Sequence, residues 1–112
     1  MLLSKDDILN AQDRESIEVD VPEWGGKVRL MTMSGLARDR FEASFQGGND
    51  MKNIRARLAA ATIVDENGSL LFSEKDVSAL GEKSGAALDR VFEAAQKLNR
   101  IGERDIEELS KN

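Results

Sequence analysis

The sequence predicts a small α+β domain, mainly helical, with one N-terminal β-hairpin and about four helices. Three observations carry this prediction. Residues 16–33 alternate apolar and polar side chains on either side of a Gly-Gly pair, the signature of two half-buried strands and a reversal. Beyond Ser34, apolar residues recur at helical spacing behind serine caps. The 112 residues suffice for one core, and no repeat, low-complexity tract or linker divides them, so 1–112 is expected to be a single domain.

Ser4 followed by Asp7 forms a capping-box start, and Ile8 with Leu9 gives the short helix behind it a small apolar face. From Ser16, the side chains of Ile17, Val19 and Val21 point one way and those of Glu18 and Asp20 the other, until Pro22 ends the strand. Glu23-Trp24-Gly25-Gly26 supplies the reversal, because glycine accepts the positive φ angles of a tight turn. The second strand runs from Lys27 to Met33 with Val28, Leu30 and Thr32 on one face.

Ser34 caps a helix carrying Leu36, Ala37, Phe41 and Phe45, and Gly47-Gly48-Asn49-Asp50 is expected to stop it. A helix from about Met51 would bury Met51, Ile54, Leu58 and Ala61, then pass into extended chain at the β-branched Thr62-Ile63-Val64. Asp65-Glu66-Asn67-Gly68 is a turn by composition, after which Ser69 to Phe72 is expected to return apolar side chains to the core. Ser73-Glu74-Lys75-Asp76 opens a short helix with Val77 and Leu80 inward and Gly81 at its end. Ser84 caps the longest helix, in which Leu88, Val91, Phe92, Ala95 and Leu98 form the stripe before Ile101-Gly102. Glu103 to Leu109 closes the pattern with Ile106 and Leu109 among acids.

Composition excludes much chemistry. With no His and no Cys there is no Ser-His-Asp triad, thiolate nucleophile or zinc site of the usual kind. The formal charge is −5, and residues 1–23 carry all of it, with two basic residues against seven acidic ones. A balanced remainder without a Lys/Arg-rich block argues against nucleic acid as a partner. No apolar run approaches a membrane helix and none at the start resembles a signal peptide, so the expected compartment is the one where the chain is made.

Candidate sites fare unevenly. A calcium loop beginning at Asp65 would need Gly and Glu where Leu70 and Asp76 stand, and Gly25-Gly26 and Gly47-Gly48 match no phosphate-binding loop. No catalytic, cofactor or metal residue is expected. The partner-binding candidates are Trp24, Met31, Met33, Ile106 and Leu109. Trp24 is either the anchor of its own loop or a partner-contacting aromatic. Met31 and Met33, on the strand face opposite Val28 and Leu30, are either covered by a helix or part of an adaptable surface. The segment holding Ile106 and Leu109 either docks, swings free or seeks a partner.

Val-Pro-Glu-Trp-Gly-Gly at 21–26, the strand after it, Ser-Gly-Leu-Ala-Arg-Asp-Arg from Ser34, Val-Asp-Glu-Asn-Gly at 64–68, Leu-Phe-Ser-Glu-Lys-Asp-Val at 71–77 and Leu-Gly-Glu-Lys-Ser at 80–84 occur in an informative order. Together they resemble the tail assembly chaperones of long-tailed bacteriophages, over nearly the whole chain. That resemblance implies a non-enzymatic protein of the host cell cytoplasm, not retained in the mature virion. Such a protein binds and solubilises the tape measure protein and helps recruit tail tube subunits. It also implies a longer form made by programmed frameshift, for which the closing Lys111-Asn112 is compatible with a slippery codon run. The competing expectation is a structural adaptor or connector subunit that stays in the particle. Self-association is expected through the hairpin edge or the final helix.

Overall fold

The computed structural model describes residues 1–46 and 51–110. The expected stop at Gly47-Gly48-Asn49-Asp50 and the terminal Lys111-Asn112 lie outside them. Strands β1 (Ser16–Val21) and β2 (Gly26–Met31) form the antiparallel hairpin, with Ile17 opposite Leu30 and Val19 opposite Val28. Its tip is a helical turn, Pro22–Trp24, closed by Gly25 at φ 75°, whose N–H donates to the Pro22 carbonyl. Val21 and Leu30 are buried on one face. On the other face Arg29 meets Glu18 at 3.3 Å and Lys27 meets Asp20 at 3.8 Å, exposed pairs that add little stability.

A third strand completes the sheet in the order β1-β2-β3. The extended chain expected after Thr62 is β3 (Ile63–Val64), antiparallel to β2 with Ile63 opposite Leu30 and Val64 opposite Arg29. The turn behind it is built by Asp65, whose Oδ1 accepts the N–H groups of Asn67 at 2.7 Å and Ser69 at 3.0 Å, with Gly68 at φ 82°.

Among the described residues there are six helices, of which α1 (Lys5–Leu9) and α4 (Val77–Gly81) span five residues each. The others are α2 (Gly35–Ala43), α3 (Ile54–Thr62), α5 (Gly85–Asn99) and α6 (Glu103–Ser110). Serine hydroxyls accept first-turn N–H groups at α1, α2 and α5, satisfying donors that have no partner inside the helix.

The centre of the core is α3. Ile54, Ala56, Leu58, Ala59, Ala60 and Thr62 are all buried, so this helix is enclosed on most sides rather than along one stripe. Its small alanines permit that close approach, and Thr62 satisfies its hydroxyl by donating to the Leu58 carbonyl at 2.8 Å. Met51, expected on the stripe, lies before the helix and is exposed. Against α3 pack α5, through Ala87, Leu88, Val91 and Ala95, and α2, whose Phe41 meets Phe45 of the following turn edge to face at 5.3 Å. Arg55 of α3 pairs with Asp89 of α5. Among the described residues, no helix is long and apolar enough to cross a membrane.

Candidate functional site: an apolar groove beside the core

Trp24 is half-buried and packs against the core from the hairpin tip, where the tip meets α5. Arg90 of α5 holds that tip by donating from Nε to both carboxylate oxygens of Glu23, at 3.0 and 3.1 Å. The Glu23 carboxyl is kept below its ordinary value, first by the backbone N–H of Glu23 itself and then by Arg90.

Met31 and Met33 are brought to different places. Met31, the last residue of β2, stays on the charged face of the sheet, where its sulfur lies 3.2 Å from Nη2 of Arg14. It also backs the Gly68 turn, since a Cβ on Gly68 would lie 3.6 Å from its sulfur. Met33 falls beyond the strand, where the two-residue alternation no longer holds, and its side chain packs against the core. Its N–H donates to Oδ1 of Asn99 at 2.7 Å, tying the strand's exit to the last turn of α5. Ile106 is 4% exposed within the core and Leu109 packs against it, so α6 is docked through both. The five candidates therefore do not converge on one surface.

A different set does. Leu70 and Leu71, expected to return to the core, are 50% and 54% exposed. Val64 bridges to Leu70, so the chain leaves the turn alongside β3, and Phe72 is the residue that packs inward. This segment, continuing to Val77, walls an open groove of about 950 Å³ against α2 and α3. Ala60 and Ala61 of α3 and Ala37 of α2 line it with Leu70, Leu71 and Val77, and Arg40 and Lys75 stand beside them. The alanines matter here because short side chains on two adjacent helices leave room that larger ones would fill. The signal available in the sequence was the adjacent pair Leu70-Leu71 directly behind a polar turn, which period-based reading assigns to the interior.

Apolar and polar side chains line the groove together. Its polar side chains include cations, hydroxyls and acids, and among the described residues no cluster of three or more acidic side chains is placed to hold a metal ion. Asp7 and Glu23, the carboxyls held below their ordinary values, lie elsewhere.

The chain is thus a small α+β domain presenting an uncovered, largely apolar groove. Its particular fold is that of a bacteriophage tail assembly chaperone. The structure of the bacteriophage HK97 tail assembly chaperone is similar at a TM-score of 0.62 and 24% identity, over 88% of this chain and 95% of that one. No family model and no curated protein matches the sequence.

Proposed function

We propose that this protein is a non-enzymatic tail assembly chaperone. It binds the tape measure protein, keeps it soluble, and helps recruit tail tube subunits while the tail is built. The observation that carries this reading is the fold shared with the HK97 protein over nearly the whole of both chains. The apolar groove supports it physically. An open surface in which alanine, leucine and valine lie among polar side chains binds an apolar helix through many weak contacts, and such contacts release it when a tube subunit competes. The protein acts in the host cell cytoplasm and leaves before the virion matures, and a frameshifted longer form accompanies it.

Co-expression tests the reading. The tape measure protein is expected in the soluble fraction only when this chain is present, and to co-purify with it. Equal solubility without the chain, together with failure to co-purify, rejects the proposal. Mass spectrometry of finished particles separates a chaperone, which is absent, from a connector subunit, which is retained.

A further inference from the structure

The sheet has one open edge. In the order β1-β2-β3, the outer side of β3 is taken by the chain returning through Leu70 and Leu71, with the Leu71 N–H donating to the Ile63 carbonyl at 3.1 Å. β1 has β2 on one side, and α5 packs against its buried face. The register fixes which backbone groups are left over. The Thr32 N–H donates to the Glu15 carbonyl at 2.9 Å, so these two residues are a hydrogen-bonded pair, and the alternation of an antiparallel ladder makes Ile17, Val19 and Val21 the next ones along β1. The N–H and C=O groups of Ser16, Glu18 and Asp20 therefore point out of the sheet, and all three residues are exposed. Pairing runs one to one from Ser16 to Val21, with no bulge, proline or lysine inside the strand to blunt the edge.

We propose that β1 takes up an extended segment of another protein as a fourth strand, and that this segment alternates lysine or arginine with apolar residues. The outward backbone groups supply the ladder, and the side chains beside them select the partner. Glu18 and Asp20 line this edge on the charged face of the sheet. Arg29 and Lys27 approach them from β2 at 3.3 and 3.8 Å, yet their side chains remain 55% and 77% exposed, which leaves both carboxylates open to a second cation. Asp13 and Glu15, exposed just before the strand, have the same sign, and residues 1–23 carry the acidic excess of the whole sequence. Cations opposite Glu18 and Asp20 fall two residues apart in the partner, on one face of it. The residues between them fall on the other face, beside Ile17, which is 39% exposed, and half-buried Val19, where apolar side chains are favoured.

A second copy of β1 is the wrong occupant. It would set its own Glu18 and Asp20 alongside these acids, and like charges across neighbouring strands repel. The edge is also separate from the groove, since no residue of β1 lines that trough and β1 lies across the sheet from β3. The proposal therefore does not rest on the chaperone reading, and the failure of one leaves the other standing.

The test follows the amide signals of the full chain by NMR during titration with a peptide of about seven residues that alternates valine and lysine and is blocked at both ends. Its counterpart with glutamate for lysine is the control. The lysine peptide is expected to shift the signals of Ser16, Glu18 and Asp20 and to slow their hydrogen exchange by about tenfold or more, while Ile17, Val19 and Val21, already bonded to β2, hold their rates. The glutamate peptide is expected to do neither. Two variants separate strand pairing from attraction by charge alone. Glu18→Thr and Glu18→Pro lose the same carboxylate, but only proline loses the outward N–H, a loss that an edge strand tolerates. Threonine is expected to weaken binding severalfold and proline to abolish it, with unmoved signals from α3 and α5 reporting an intact core. Asp20→Thr and Asp20→Pro repeat the comparison at the next outward position. Equal binding of the two peptides, equal binding by the threonine and proline variants, or a lysine peptide that leaves the three amides unmoved overturns the proposal. So does protection of those amides that grows with protein concentration in the absence of peptide, which assigns the edge to a second copy.

Discussion

Arg57 of α3 donates from Nη1 to both the carbonyl oxygen of Ser44, at 3.0 Å, and its hydroxyl, at 2.7 Å. Its Nε donates to the Lys52 carbonyl at 2.9 Å, and its guanidinium lies 4.7 Å from the Phe45 ring centroid. One side chain thus joins the end of α2 to the approach of α3. Replacing it with alanine is expected to cost about 2–3 kcal/mol, from lost charged hydrogen bonds and ring contact. Arg57→Lys keeps the charge but not the planar fork, and is expected to recover less than half. The urea midpoint at constant slope measures both.

Gly81 ends α4 where Asn53 approaches it. A Cβ there would lie 2.8 Å from Oδ1 of Asn53, and Asn53 is itself held at φ 54°. Gly81→Ala is therefore expected to destabilise by about 1 kcal/mol, although alanine is the better helix former. Asn53→Gly removes both the obstructing side chain and the left-handed strain. In that background Gly81→Ala is expected to be neutral or stabilising, and a double-mutant cycle showing no coupling would count against the contact.

At the C-terminal end of α5, Arg100 occupies the left-handed position, with φ 56°. Its N–H reaches the Lys97 carbonyl at 3.2 Å and the next N–H, from Ile101, reaches Gln96 at 2.9 Å, while Ile101 is buried. This is the Schellman arrangement with arginine where glycine is preferred. Arg100→Gly is expected to stabilise by about 1 kcal/mol and raise Tm by roughly 4 °C. A lower Tm on calorimetry would refute this.

Ile106 distinguishes a core role from a binding role. Buried at 4% exposure, it should cost about 2–4 kcal/mol when cut to alanine. A side chain kept for a partner would leave the thermal midpoint of the free protein unmoved.

The Asp7 carboxyl is held below its ordinary value of 3.8 by the Ser4 backbone N–H first and the Ser4 hydroxyl second. A carboxyl with a depressed folded pKa stabilises the fold at pH above its ordinary value, and that contribution is lost as pH falls through the depressed one. On acidification below 3.8, the Cα chemical shifts of residues 5–9 are expected to move toward random coil before those of α5 do. Asp7→Asn should remove that difference.

Local chemistry was legible in the sequence. The serine caps at Ser4, Ser34 and Ser84, the Asp65 turn and the β1-β2 hairpin all follow from side chains within four residues of one another or from strict alternation. Long-range facts were not. The stripe read in α3 held Ile54 and Leu58 but not the enclosure of the helix, because alanine is nearly silent in a period analysis, and two residues of β3 are too few to alternate. The exposed Leu70 and Leu71 look interior because apolarity alone does not say which side of a sheet edge a chain leaves from. The groove is assembled from residues between 37 and 77 that meet only through packing.

The bond from Met33 to Asn99 spans 66 residues and locks the exit of the hairpin to the end of α5, whose middle already holds the hairpin tip through Arg90. Hairpin and helix are thereby fastened at both ends and should open to solvent together. Amide hydrogens of β2 and of the centre of α5 are expected to exchange at one common slow rate, set by the whole domain's unfolding. Those of α1, which buries no residue, should exchange orders of magnitude sooner. The protein thus pairs a slowly breathing frame with a segment free to change its company without disturbing that frame.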